Sequence, residues 1–299
     1  YIIVDEYQDV SRSRFNLIKA IRDVSNSTIM CVGDDWQSIY RFAGSDISLF
    51  SDFEEHFGKS AKLLIEKTYR NSQNLIDISK KFILKNSNQI VKHPKSEKEN
   101  IPAPIKYVYY DDNLEEEFIK QIKLIEIKSG KKPILVLGRH FHDLEDLISK
   151  SENNRIRYDK RTNKIKVTEF PDLEINFLTV HRSKGVEAEN VIVLNLKNDT
   201  TGFPNKLSDD MILEPLLSKP EAYSYAEERR LFYVALTRTK NKVVLMINNS
   251  NESLFVNELI KDNNETVNRG PKHRAVNCPY CKKGTLEVRT NKLKNTNFL

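Results

Sequence analysis

"TIMCVGDDWQSIYRF", Thr28 to Phe42, is the stretch whose reading decides the fold. Its first half is a short continuous apolar run, which suits a strand buried on both faces. The run stops at Gly33, and two carboxylates, an amide and a group of aromatic and cationic side chains follow. A buried strand that ends in a chemically loaded loop belongs to an open α/β sheet, where ligands bind beyond the carboxyl ends of the strands. The chain opens in the same way. "YIIVDEYQD", Tyr1 to Asp9, is an apolar strand closed by Asp5 and Glu6.

Further strand-like runs are "AKLLIEK", "IKYVYY", "PILVLGR", "INFLTV", "NVIVLNL" and "KVVLMIN". Helical periods lie between them at residues 15–24, 72–84, 114–127, 143–149 and 225–239, with a last one at 254–260. The alternation predicts parallel sheets covered by helices. "IRYDKRTNKIKVTEF" predicts a small hairpin with a polar turn. "KHPKSEKENIPAPIK", Lys92 to Lys106, reads as a surface connection, and 199–222 as a long loop.

A length of 299 residues leaves room for two domains. Hydrophobic residues make up 39% and charged residues 30%, which suits a globular chain, and no apolar run is long enough to span a bilayer. The net charge of +6 is concentrated at the end, where eight cations from Arg269 onward face one acid, Glu287. Such a tail is either a solvated end or a partner for phosphate backbones. Of the three cysteines, Cys31 sits in an apolar strand, and Cys278 and Cys281 form a CxxC pair in the tail. That is not a secreted disulfide framework.

Several loops carry candidate chemistry. Asp5 and Glu6 can hold a divalent cation and polarise a water, or simply cap a strand. Gln37 can bond a phosphate without competing for metal. Tyr40 and Phe42, flanking Arg41, can stack on bases or, with Trp36, fill a core. Tyr69 and Arg70 lie between a strand and a helix, placed for a ring and a phosphate contact. His181, Arg182, Lys184, Gly185 and Glu187 crowd the turn after "INFLTV". In "YAEERRLFYVALTRTK", Arg238 ends a helix just before a strand.

Taken in order, "DEYQD", "GDDWQSIYRFAGSD", "TYRN", "TVHRSKGVEAENVIVL" and "EERRLFYVALTRTK" resemble motifs II to VI of superfamily 1 DNA helicases of the UvrD/Rep group, most closely the helicase IV branch. The resemblance covers Tyr1 to about Asn248. It implies RecA-like (P-loop NTPase) domains, with residues 1–66 the end of the first, 67–262 the second and 263–299 a basic tail. It implies ATP and Mg²⁺ as cofactors, with Asp5 on Mg²⁺, Glu6 activating water, Gln37 sensing the γ-phosphate, and Arg70 and Arg238 as arginine fingers. Tyr69 would stack on adenine, and Gly185 and Glu187 would lie on the nucleotide, Glu187 at the ribose. Tyr40, Phe42, Thr179 and His181 would face single-stranded DNA. The implied protein is a cytoplasmic, nucleoid-associated DNA-repair helicase. It would act as a monomer without membrane contact, moving 3′ to 5′ on single strands and at DNA junctions.

The sequence departs from that pattern in three ways. No GxxxxGK[ST] loop is present, so the chain reads as a C-terminal piece that does not turn over ATP alone. Only about a hundred residues separate Arg70 from Thr179, too few for the subdomain that larger members insert there. "CPYCKKGTLEVRT" resembles the first half of a topoisomerase-type zinc ribbon, with Cys278 and Cys281 as two of four Zn²⁺ ligands. The alternative to a helicase is a non-catalytic DNA- or partner-binding RecA-like module with a basic zinc tail.

Overall fold

A computed structural model describes residues 1–207, 212 and 217–263, together with the backbone of short strand segments at 276–277, 285–286, 289–291 and 296–298. Cys278 and Cys281, and with them the zinc-ribbon expectation, lie outside the described residues. Among the described residues no helix is long and apolar enough to cross a membrane.

The chain begins with a small α/β unit. Strands β1 (Ile2–Val4) and β2 (Ile29–Cys31) pair in parallel, Ile2 beside Ile29 and Val4 beside Cys31. Helix α1 (Arg12–Ser25) connects them, and its first turn is capped by the Ser11 hydroxyl, which accepts from the Arg14 amide. Two short helices, α2 (Ser48–Ser51) and α3 (Phe53–Phe57), follow. Tyr7, Val10, Phe15 and Leu49 form the core here, with Phe50, Phe53 and Phe57 packed against them. The expectation of strands covered on both sides fails at this sheet. Ile3 is 71% exposed and Met30 56%, because among the described residues helices pack only on the face carrying Val4 and Cys31.

The rest forms a larger unit. Its elements are β3 (Lys67–Thr68), α4 (Gln73–Ile83), β4 (Lys95–Ser96), β5 (Ile105–Tyr110), α5 (Leu114–Ser129), β6 (Ile134–Gly138) and α6 (His142–Ser149). They continue with β7 (Ile156–Asp159), β8 (Lys164–Val167), β9 (Ile175–Thr179), β10 (Ala188–Leu196), α7 (Ala226–Thr237), β11 (Thr239–Asn248) and α8 (Leu254–Asp262). Seven strands make one sheet in the order β5-β11-β10-β6-β9-β8-β7. The first five run parallel, whereas β8 is antiparallel to β9 and β7 to β8, so the expected hairpin closes one edge.

Alternation along each strand builds two cores. Leu135, Leu137, Val191, Val193 and Leu245 pack under α4, α7 and α8, against Leu75, Phe82, Phe232 and Phe255. Ile134, Val136, Ile192, Leu194 and Met246 pack under α5 and α6, against Phe118, Ile122, Leu144 and Leu147.

One expected strand is cut to its end. Of "AKLLIEK" only Lys67 joins a ladder among the described residues, opposite Lys95 in β4, while Leu63 and Ile65 are almost wholly exposed. An apolar run becomes a strand only where a neighbour takes up its backbone hydrogen bonds.

The loop after β2 joins the two units. Ile39 is fully buried in the core under α7, and the Arg230 guanidinium donates through Nε to the Ser38 carbonyl at 2.6 Å.

Candidate functional site

The carboxyl ends of β1, β2 and β9 and the end of α7 converge on one cleft. At the end of β1 the Glu6 backbone is left-handed, at φ 49°. For a residue with a Cβ this costs about 1 kcal/mol, and such positions cluster where function fixes geometry. The Glu6 amide donates to Asp5 Oδ1 at 2.8 Å, and Glu6 Oε2 accepts from Gln8 Nε2 at 2.6 Å. Gln8 also accepts from the Asp34 amide through Oε1, at 2.9 Å. A Cβ on Gly33 would stand 2.4 Å from that same oxygen, so glycine is what lets the two loops approach.

Lys184, from the turn after β9, reaches across the cleft and is 8% exposed. Its ammonium stands 3.3 Å from Glu6 Oε2, pairs with Asp9, and donates to the Gln37 carbonyl at 2.9 Å. Burial raises the Asp9 carboxyl above its usual range, with Lys184 opposing the shift.

Gln37 is held at both ends of its amide. Its Nε2 donates to Asp34 Oδ2 at 2.6 Å, and its Oε1 accepts from Arg238 Nη2 at 3.3 Å. Arg238 is buried, and that burial, with Arg70 nearby, pushes its guanidinium down to about 10. Asp34 and Asp35 share a third cation, Lys92, whose Nζ stands 2.5 Å from an oxygen of each. Trp36 takes the core alternative. It is buried edge-on against Tyr233 at 5.4 Å, and its indole donates to the Ile90 carbonyl at 2.9 Å.

Arg70 and Glu187 come together, but with each other. Arg70 Nε donates to Glu187 Oε2 at 2.7 Å, while Lys240 lies 2.5 Å from Oε1. These hydrogen bonds, from Lys240 first and then Arg70, hold the Glu187 carboxyl down at about 2. Tyr69 is 66% exposed, with the Lys67 ammonium 5.5 Å from its ring centre. Gly185 has φ 80° and open space around its Cβ position, so backbone conformation alone requires glycine there.

Next to this cleft lies an aromatic platform. Phe42, 57% exposed, meets the His181 ring edge-on at 5.1 Å and the Tyr40 ring at 6.0 Å. The Tyr40 hydroxyl donates to the His181 carbonyl at 2.8 Å. Thr179, half-buried, ends β9 opposite Gly138. Burial first, then Arg139 and His140, pushes His181 down to about 3. Lys184 ties platform to cleft, its ammonium 5.4 Å from the Tyr40 ring centre.

Asp5, Glu6, Gln37 and Arg238 thus line one cleft, Arg70, Glu187 and Tyr69 lie at another part of its rim, and Tyr40, Phe42 and His181 form the adjoining platform. Sequence reading missed Lys92 and Gln8. Gln8 falls inside the quoted "DEYQD", two residues from Glu6, a spacing that signals contact across a tight turn. Among the described residues there is no cluster of three or more His, Cys, Asp or Glu side chains able to hold a metal.

Residues 1–58 match the UvrD/REP helicase N-terminal domain and residues 161–250 the UvrD-like helicase C-terminal domain. The chain is 35% identical, over 91% of its length, to DNA helicase IV of Escherichia coli strain K12, covering 37% of that protein. It is 34% identical over 37% of its length to the ATP-dependent DNA helicase PcrA of Bacillus subtilis strain 168, covering 14% of it. The chain therefore spans well under half of these relatives. With both family domains in order, and the motif residues of each meeting at one cleft, the chain belongs to the UvrD-like helicase family.

Proposed function

We propose that this chain is the motor portion, from motif II to motif VI, of an ATP-dependent DNA helicase that moves 3′ to 5′ along single-stranded DNA. The observation that carries the reading is the Lys184 ammonium, which touches Glu6, Asp9 and the Gln37 carbonyl while lying over Tyr40. One side chain from the second unit thereby joins the hydrolytic carboxylates of the first to the base-stacking platform. Residues 1–66 and 67–262 are the two RecA-like parts in this reading, and 263–299 a basic tail.

The residues present suit a magnesium nucleotide. Asp5 is an exposed carboxylate at a strand's carboxyl end, where it accepts from the neighbouring Glu6 amide. Bound there, Mg²⁺–ATP would supply the γ-phosphoryl group and its charge neutralisation. Glu6 would accept a proton from the attacking water, and Gln37 and Arg238 would meet the γ-phosphate. Arg70 would exchange Glu187 for phosphate, freeing Glu187 for the ribose, and Tyr69 would offer its exposed face to adenine. Tyr40, Phe42, Thr179 and His181 line the strand. Closure over nucleotide shifts Lys184, and with it the grip on a base.

Zinc binding by Cys278 and Cys281 would need two further ligands. Turnover needs a phosphate-binding loop, so the test uses the gene product that joins this chain to one. Glu6→Gln should abolish ATP hydrolysis while nucleotide binding persists. Normal turnover would remove Glu6 from the reaction and the reading with it.

A further inference from the structure

The β7–β8 hairpin is the edge of the seven-stranded sheet and takes no part in the cleft described above. One of its faces packs. Ile156, Ile165 and Val167 are buried, with Tyr158 half-buried beside them. The alternate residues Arg157, Lys164 and Lys166 point to solvent, and Lys160 and Arg161 stand exposed in the turn.

Two features set this face apart from an ordinary solvated surface. Arg157 sits directly across the ladder from Lys166. Like charges in register oppose pairing, so the arrangement works against the hairpin's own stability. Moreover, none of Arg157, Lys160, Arg161, Lys166 and Arg182 forms an ion pair among the described residues, although Lys164 and Arg155 beside them do, with Glu174 and Glu169. The nearby Asp159 carboxylate, held down in part by Lys166, offsets only part of this charge, and among the described residues the Arg157 guanidinium finds no more than the Asn154 carbonyl at 3.3 Å, so the face suits an external polyanion.

Its direction is fixed by topology. Lys164 pairs with Asn176, and the Phe177 amide donates to the Asn163 carbonyl at 2.8 Å. The turn therefore lies toward the carboxyl end of β9, the end that carries Thr179, His181 and Arg182. Phe141, just after β6, fills the space between. Its ring meets Tyr158 at 5.6 Å and lies 6.0 Å from the Lys160 ammonium, while Arg182 acts on the Tyr158 hydroxyl. A track of rings and cations thus runs from Phe42 and His181, past Arg182 and Phe141, to the hairpin.

We propose that the β7–β8 hairpin is a second grip on DNA, in which Lys160, Arg161, Arg157 and Lys166 hold the phosphates of the single strand continuing beyond the Phe42–His181 platform. The occupant is a single strand because the track leading to the hairpin is aromatic, and rings such as Phe141 serve unstacked bases. The inference rests on the platform binding single-stranded DNA. The hairpin sets how many phosphates are held, while the cleft sets turnover.

The test measures affinity of this chain for oligothymidylates of increasing length across a salt series, for wild type, Lys160→Ala/Arg161→Ala, Arg157→Ala/Lys166→Ala, the swap Arg157→Lys/Lys166→Arg, and Phe42→Ala. For each cation removed, the slope of log affinity against log salt should become shallower by about 0.7. The loss should appear only with oligonucleotides long enough to pass the platform, and the swap should keep the wild-type slope. If wild type binds and Phe42→Ala weakens it, but both alanine pairs keep wild-type slope and affinity, the hairpin is not a grip. If the alanine pairs lose affinity for duplex alone, the single-strand assignment falls. If wild type binds no single strand at all, the platform reading fails first and this inference with it. Unfolding midpoints at or above wild type, the latter expected for Arg157→Ala/Lys166→Ala because it removes facing like charges, separate these outcomes from misfolding.

Discussion

Arg238 Nη2 donates to Gln37 Oε1 at 3.3 Å, so the residue that caps the end of α7 holds the amide that the loop after β2 presents to the cleft. Gln37 cannot turn its amide without losing either Arg238 or Asp34. The pair should act as a unit in ATP hydrolysis by the gene product that includes a phosphate-binding loop. Gln37→Ala and Arg238→Lys, which keeps the charge but loses the planar fork, should each lower kcat by about 10²-fold. The double variant should cost clearly less than the two combined. Strictly additive losses would mean that the two side chains work independently.

Lys92 is the side chain on which the motif III loop depends most. Its ammonium lies between Asp34 and Asp35, the latter almost wholly buried, and 5.1 Å from the Trp36 ring. Lys92→Met should leave two carboxylates facing each other without a counter-charge, a loss of about 3 kcal/mol. Urea unfolding of this chain reads it directly. Lys92→Arg should recover part of the loss, and an unchanged midpoint for Lys92→Met would show that solvent already screens the pair.

How far the sequence could be read depends on the range of the interactions involved. The five parallel strands of the large sheet were legible because each is a continuous apolar run, and the edge hairpin because its residues alternate about a polar turn. The motif residues were legible because each ends a strand or a helix. Lys92 was not, since it lies in "KHPKSEKENIPAPIK", a stretch whose polarity says surface, and its burial is set by carboxylates some fifty-seven residues earlier in the chain. Trp36 went unresolved between base and core for the same reason, because its partners Ile90 and Tyr233 are both distant in sequence. "AKLLIEK" erred the other way. Its apolar content resembles a strand, but pairing is a property of the neighbours, and among the described residues only its last residue, Lys67, meets one, in β4.

Gly185 gives a cleaner backbone prediction. A Cβ there would meet nothing within 4 Å, yet φ is 80°. Gly185→Ala should therefore cost about 1 kcal/mol from conformation alone, with no steric contribution. A larger loss in unfolding free energy would mean that the loop shifts and that Lys184 loses its contacts. Weaker protection of Lys184 from amine-modifying reagents would then accompany it.

His181 makes stability depend on pH with a definite sign. Its folded value is held at about 3, below the usual 6.5 of an unfolded histidine, because burial disfavours the imidazolium. Between those values the unfolded chain binds a proton that the native chain does not, so stability rises with pH. The contribution is fully present above about 6.5 and is lost as pH falls toward 3, at up to about 1.4 kcal/mol per pH unit. His140, pushed down to about 4, acts with the same sign. Glu187, held at about 2, matters only below the ordinary carboxylate range, whereas the buried carboxyls of Asp9, Asp35, Asp143 and Glu227, raised by burial, act with the opposite sign and do so alike in wild type and variant. The difference between urea unfolding of wild type and of His181→Gln from about pH 5.5 to about 7.5 therefore reads His181, and the variant should give the shallower fall. Parallel curves would mean that the His181 ring titrates in the folded chain as it does in the unfolded one, so that the platform gains charge beside Phe42 as pH falls below about 6.5.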